Sequence, residues 1–208
     1  MCCKSQHFLY NVCYNIIRKN IELIVLKGKN IMSVNVKNIN ITIYDSEKSN
    51  KEFVVDNIAE DKLIIAVSNY IINFYNKNNK KIVNIELQKI LYLIDGYYYR
   101  FFGKLLFHNG PVMWPYGPSY LGSYFMYHTQ RVSQTLYPIN SISIPNNNTK
   151  LKLIVEKVCG ETIKLKSIWT LVEKLNKPLR NIHKDNVISS NVIKEYFKHN
   201  NPLNIERE

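Results

Sequence analysis

The residue types best suited to metal binding or nucleophilic catalysis are scattered along this sequence. Its five histidines and four cysteines form neither a His-Glu-x-x-His pattern nor a Cys-x-x-Cys pair. Zinc sites and disulfide frameworks depend on such recurrent spacings. We therefore expect no metal, no cofactor and no catalytic centre built from these side chains, and we predict that the protein is not an enzyme.

Two glycine-containing stretches resemble catalytic loops only weakly. Gly96, Gly103 and Lys104 are spaced too widely for a phosphate-binding loop, and no Ser or Thr follows the lysine. The stretch 117–122 misses the Gly-x-Ser-x-Gly nucleophile elbow by one position. Asp95 lies beside an apolar helix face, where a hydrogen bond from a nearby Tyr hydroxyl is a simpler explanation than catalysis.

A short aromatic loop has the features of a rigid binding element. Trp114 and Tyr116 flank Pro115 and project to the same side of an extended chain. Gly117 permits a positive φ, and Pro118 restricts the direction in which the chain leaves the loop. Exposed aromatic rings on a rigid loop are typical anchors of protein interfaces, although the same rings could pin the loop to the core.

The helix before this loop carries more aromatic residues than one packing face requires. From Tyr97 to Phe102 aromatic side chains cover all sides of the helix. Core packing explains some of them, and an aromatic surface beside Arg100 would suit a protein partner. We predict a partner-binding surface formed by the loop and this helix, comprising Lys89, Tyr92, Tyr97, Tyr99, Trp114, Tyr116, Gly117 and Pro118.

Hydrophobic periodicity identifies the elements that must position these residues. Spacing of three and four residues predicts helices at 8–26, 61–76, 84–102, 120–132, 151–159, 168–175 and 189–197. We expect Asn84 and Ser189 or Ser190 as helix caps, and Gly103 and Gly160 as helix stops. Alternation of apolar and polar residues predicts a strand at 34–44 and a short one at 138–145, with a polar linker at 45–51.

These elements predict a mainly α fold. We expect a compact helical domain of five or six helices with a small β element at 56–200, a strand-containing N-terminal extension at 1–55, and a tail at 201–208. Met32 offers a second start, so we expect residues 1–31 to be dispensable.

The charge and hydropathy of the chain limit its partners. Its net charge of +12 is spread along the sequence, which makes nucleic acid a secondary partner, because phosphate binding favours clustered basic residues. No apolar run reaches bilayer length, so we expect no membrane association. The absence of a disulfide framework favours a cytoplasmic location.

The motif residues together resemble the Panacea, or SocA-like, antitoxin domain family over about residues 60–200. The similarity lies in the run Leu87-Gln88-Lys89-Ile90-Leu91-Tyr92, in Gly96, in Gly103 with Leu106 and Phe107, and in Trp114-Pro115-Tyr116-Gly117-Pro118. Upstream, Val67, Asn69, Tyr70 and Ile71 resemble the entry motif of the family, and 188–197 its closing helix. The chain departs from the family pattern at Tyr97, where the family has Trp, and at Leu105, where it has Pro. Before the last helix it has Leu175-Asn176 and Pro178-Leu179, where the family usually has Thr-His and Pro-Trp.

This resemblance implies a non-enzymatic antitoxin that binds and neutralises a protein toxin, often one encoded by an adjacent gene. It also implies that protease or chaperone machinery is a possible further partner, since some members act as adaptors for proteolysis. A basic nucleic-acid-binding regulator is the alternative from a different functional class, and an unrecognised enzyme is the third.

Overall fold

The computed structural model describes only part of the chain. The described residues are 39–43, 51–55, 58–128, 135–139, 142–167, 169–170, 173, 175, 177–179, 181–182 and 186–207. The predicted helix at 8–26 and the linker at 45–50 therefore lie outside them. Half of the predicted helix at 168–175 also lies outside, and its described residues, 169, 170, 173 and 175, are helical. The chain divides into two compact units, Met1–Ala59 and Glu60–Glu208, which we describe separately.

The first unit contains an antiparallel hairpin. Strand β1 is Ile39–Ile43 and strand β2 is Lys51–Val55, in a register that pairs Ile41 with Phe53. The alternating apolar pattern predicted the first strand, which is confirmed over its described residues. One or two strands were expected in the N-terminal extension, but no pattern located the second, which begins at Lys51 in the predicted linker.

The second unit is mainly helical, as predicted from the sequence. Five α-helices occur in the described part of the chain: α1 is Ile58–Lys77, α2 is Asn84–Phe102, α3 is Leu121–His128, α4 is Thr149–Thr162 and α5 is Ser190–His199. A short antiparallel pair, β3 (Val112–Trp114) and β4 (Gly117–Ser119), lies between α2 and α3. Val187 forms a further antiparallel bridge to Val112.

Helix ends follow local rules in most places. Gly103 ends α2 in the left-handed conformation, with φ of 73°, and its N–H donates to the carbonyl of Tyr99. Ser189 caps α5, because its hydroxyl accepts from the N–H of Val192. Val83, not Asn84, is the N-cap of α2, and its N–H donates to Glu86.

Two further predictions about secondary structure were wrong. Helix α4 continues through Gly160 to Thr162, whose hydroxyl bonds the carbonyl of Val158 and accepts from Tyr75 of α1. A single glycine costs a helix only about 1 kcal/mol, which such contacts can offset. No strand forms in the described residues of 138–145, where the backbone instead bonds the side chain of Asn69 in α1.

Helix α2 is the centre of the unit. Every residue from Leu87 to Tyr97 is buried, and the helix packs against α3, α4, α5 and β4. The sequence predicted one apolar face, whereas the structure surrounds these three turns completely. Polar residues of this stretch must therefore find partners inside the protein.

Helix α5 approaches α2 closely at Gly96. A Cβ atom on this residue would lie 2.1 Å from the nearest ring carbon of Phe197. The same ring makes edge contacts with Tyr92 and Tyr97, each with 5.7 Å between centroids. Glycine is therefore required at this position because the phenylalanine ring occupies the space of any side chain.

Candidate protein-binding surface

The predicted aromatic loop is the tip of the β3–β4 hairpin. Trp114 pairs with Gly117 across the hairpin, and Pro115 and Tyr116 form the connection. Gly117 has a φ of 94°, which other residues rarely adopt. This is the position at which hairpins closed by a type I turn need a left-handed residue, so the local sequence fixes the shape of the tip.

Helix α2 anchors the second strand of this hairpin from below. The ammonium nitrogen of Lys89 donates to the carbonyl of Pro118 at 2.9 Å, and Gln88 Oε1 accepts from the N–H of Tyr120 at 2.9 Å. Both anchoring side chains are buried. The backbone on the exit side of the tip is thus fixed by two hydrogen bonds to one turn of a buried helix.

A chain of polar side chains extends this anchor across the interior. Gln88 Nε2 donates to Asn84 Oδ1 at 2.9 Å and to Ser123 Oγ at 3.3 Å. Asn84 in turn donates to the carbonyl of Tyr124, and Ser123 bonds Ser68 of α1 at 3.0 Å. These contacts connect α1, α2 and α3 beneath the hairpin.

Asp95 organises the loop that precedes the hairpin. Its Oδ1 accepts from the N–H groups of Leu106 and Phe107, at 2.7 and 3.1 Å, and its Oδ2 accepts from the hydroxyl of Tyr120 at 2.7 Å. Burial raises its pKa to about 6, although these three hydrogen bonds favour the charged form. The predicted bond from a tyrosine hydroxyl is confirmed.

The tip itself presents an aromatic pair to solvent. The side chain of Tyr116 is 55% exposed and that of Trp169 is 48% exposed, and their rings meet edge to face with centroids 5.7 Å apart. Trp114 is half-buried, with its ring 4.3 Å from that of Tyr124 in α3. Of the two aromatic loop residues, Trp114 therefore pins the hairpin to the helical core and Tyr116 remains accessible.

Three predicted contact residues lie in the interior, which corrects their assignment to a surface. Lys89 is 1% exposed, and Tyr92 and Tyr97 are fully buried because α2 is covered on all sides. They cannot contact a partner directly in this conformation. Gly117 and Pro118 are also buried and shape the hairpin, whereas half-buried Tyr99 lies near the other end of α2.

The two buried tyrosines have different surroundings. The hydroxyl of Tyr97 donates to Asn201 Oδ1 at 2.7 Å and accepts from the N–H of Leu203 at 2.8 Å, which fixes the segment after α5. The hydroxyl of Tyr92 has no hydrogen-bond partner among the described residues. Burial raises the pKa of both hydroxyl groups, that of Tyr97 to about 12.

Sequence reasoning missed Trp169 and the polar anchor. Trp169 lies far from Tyr116 along the chain, and no local pattern connects them. Asn84 and Gln88 did leave a signal, because polar residues four positions apart in an otherwise apolar helix share one face. Their spacing predicts a hydrogen-bonded pair once the helix is known to be buried.

The described residues contain neither a metal-binding cluster nor a membrane-spanning helix. No three side chains of His, Cys, Asp or Glu lie together there in a way that could bind a metal ion. None of the described helices is long and apolar enough to cross a membrane.

No comparison with known proteins assigns a family or a function to this chain. Scans against protein-family models, curated proteins and solved structures return no match to this chain. The resemblance to the Panacea family therefore rests on the residues quoted above, of which Gly96, Lys89 and Pro118 have defined structural roles here.

Proposed function

We propose that this chain is an antitoxin-type module that neutralises a protein toxin by direct binding, without catalysis. The observation that carries the proposal is Tyr116, an exposed aromatic side chain on a hairpin whose exit strand is anchored to a buried helix. Tyrosine and tryptophan dominate the binding energy of many interfaces. The pair formed by Tyr116 and Trp169 supplies both residue types at one place.

The anchoring beneath the tip supports the proposal on energetic grounds. Association costs free energy for each loop or side chain that becomes ordered. The left-handed Gly117 and the bond from Lys89 to Pro118 order the hairpin before any partner arrives. The edge contact with Trp169 likewise restricts the ring of Tyr116. Little ordering is then left for the binding step.

The resemblance to Panacea antitoxins supplies the class of partner. We expect a cytoplasmic protein toxin encoded by a neighbouring gene, and its apolar surface would cover Tyr116 and Trp169. Delivery of the bound toxin to a protease would use the same contact, so binding is the activity to test first.

The test measures affinity and stability together. The product of the adjacent gene is purified, and its binding to Tyr116→Ala is compared with binding to Tyr137→Ala. Tyr137 is the matched control, because it is the same residue type and is 63% exposed in the segment 135–139. The thermal midpoint of each variant is measured in parallel to identify loss of folding.

We expect Tyr116→Ala to weaken binding by about 2 kcal/mol or more, with its thermal midpoint retained. Tyr137→Ala should bind like the wild type. Normal affinity of folded Tyr116→Ala and folded Trp169→Ala would reject this surface. Growth rescue in cells that express the toxin should follow the same order, provided the variants accumulate to equal levels.

A further inference from the structure

An open groove of about 760 Å³ borders the C-terminal turn of α2 and shares no residue with the Tyr116 tip. Three cationic side chains from separate parts of the chain line it: Arg100 from α2, Lys198 from α5 and Arg207 from the segment after α5. Glu206 is the only acidic residue in its lining. The fold thus brings three of the 28 basic residues of the chain together beside one acidic residue.

Two of these cations have no competing partner. Arg100 Nη1 donates to the carbonyls of Phe197 and Asn200, at 3.1 and 3.5 Å, so part of its guanidinium stabilises the end of α5. Lys198 and Arg207 form no ion pair within the part of the chain that the structure describes. Glu206 accepts a hydrogen bond from Asn201 at 3.0 Å. The groove therefore has an excess of positive charge.

Aromatic rings lie among these charges. Tyr99 and Phe102 are half-buried in the groove lining. The ring of Phe102 is in edge contact with Tyr98 and has the ammonium group of Lys150 5.6 Å from its centroid. Tyr99 is partly buried against the hydrophobic core and lines the groove, and no aromatic contact to its ring is present among the described residues.

We propose that this groove binds a short segment of single-stranded nucleic acid. Lys198 and Arg207 contact phosphates, and an unpaired base stacks on Tyr99. Proteins that bind single strands combine a basic groove with aromatic rings in this way. Carboxylate side chains of an acidic peptide would satisfy the cations but do not stack on an aromatic ring, and the bases of a duplex are already stacked on one another. The proposal is independent of the toxin contact at Tyr116.

The electrostatic part is tested with a fluorescein-labelled oligothymidylate of about 12 nucleotides, in the range of known single-strand sites. Anisotropy titrations at several salt concentrations compare the wild-type chain, Lys198→Glu/Arg207→Glu and the control Lys80→Glu. Lys80 is exposed just after α1 and outside the groove lining, and its substitution makes the same type of charge change. Arg100 is left intact because it stabilises α5.

We expect the wild-type affinity to fall steeply with salt, and the double variant to bind about tenfold or more weakly with a shallower salt slope. Lys80→Glu should change affinity by less than about threefold. No binding at low salt would overturn the proposal. An equal loss per charge in Lys80→Glu would overturn it as well, because the attraction would then be diffuse.

The stacking part is tested with Tyr99→Leu, which keeps an apolar side chain in place of the ring. We expect about a fivefold to hundredfold loss of affinity with the salt slope unchanged, whereas Tyr137→Leu should have no effect. Wild-type affinity of folded Tyr99→Leu would exclude stacking. Equal competition by polyglutamate of matched charge would assign the groove to an acidic peptide and refute the proposal.

Discussion

Lys89→Met removes a buried amine from beneath the hairpin while preserving the length of the side chain. The wild-type side chain is 1% exposed, and its nitrogen donates to the carbonyl of Pro118 at 2.9 Å. Desolvation lowers the pKa of this amine from 10.5 to about 7. The substitution should therefore change how the free energy of unfolding depends on pH.

The sign follows from proton binding in the two states. Between pH 7 and 10.5 the folded protein binds fewer protons at Lys89 than the unfolded chain does, so its stability rises with pH in this range. The destabilisation caused by burying the charged amine is fully present below about pH 7 and vanishes toward pH 10.5. The pKa of 10.5 in the unfolded chain and of about 7 in the folded protein limit this destabilisation to about 5 kcal/mol.

Loss of the hydrogen bond acts in the opposite direction. The carbonyl of Pro118 loses the partner that Lys89 provides, which costs about 1 to 3 kcal/mol if nothing replaces it. We therefore expect Lys89→Met to be more stable than the wild type by about 2 to 4 kcal/mol at neutral pH. At high pH the order should reverse, with the two curves crossing at about pH 9.

Urea unfolding followed by circular dichroism, from pH 6.5 to 10, measures both proteins. Their difference in unfolding free energy cancels the titration of other groups, and it should change by about 1.4 kcal/mol per pH unit. Lys80→Met, at an exposed position, should show no such slope. A difference that stays constant with pH for Lys89→Met would refute the lowered pKa of Lys89.

Three further substitutions test the surroundings of the site. Gly96→Ala places a Cβ 2.1 Å from the Phe197 ring and should cost about 3 kcal/mol or more; an unchanged urea midpoint would contradict this packing. Asn69→Ala removes four hydrogen bonds, to Tyr127 and to the backbone of residues 139 and 142, and should cost about 2 to 4 kcal/mol. Faster hydrogen exchange at the Ile139 amide should accompany it, and unchanged exchange would count against the contact. Because the pKa of Asp95 is raised from 3.8 to about 6, the wild type should gain stability relative to Asp95→Asn as pH falls from about 6 to 4. A constant difference between these two proteins would show that the carboxyl is not desolvated.

The helices were predictable because burial against a core imposes the 3.6-residue period on the sequence. The depth at which α2 is buried could not be predicted, because its second face is covered by elements that lie far away along the chain. Lys89 was assigned to the surface because the loop at 114–118 and this helix were predicted to bind a partner together. Its single acceptor, the carbonyl of Pro118, comes opposite it only after the hairpin has folded onto α2.

In the candidate sites, too, features set by neighbouring residues could be predicted, and contacts between distant residues could not. The rigid tip around Tyr116 followed from its proline and glycine neighbours, and these rules are local. Tyr116 and Trp169 are 53 positions apart, and Arg100 lies 98 and 107 positions from Lys198 and Arg207. No single-sequence pattern encodes such distances, so these features required the structure.

The contacts of Tyr97 with Asn201 and Leu203 bear on how the protein folds during synthesis. One side of α2 is covered by Phe197 and by the segment around residue 205, which a ribosome translates only after about 100 further residues. Until then the nascent chain carries an uncovered apolar helix. We expect chaperones to bind ribosome-associated intermediates at α2, and release of the completed segment to end that interaction.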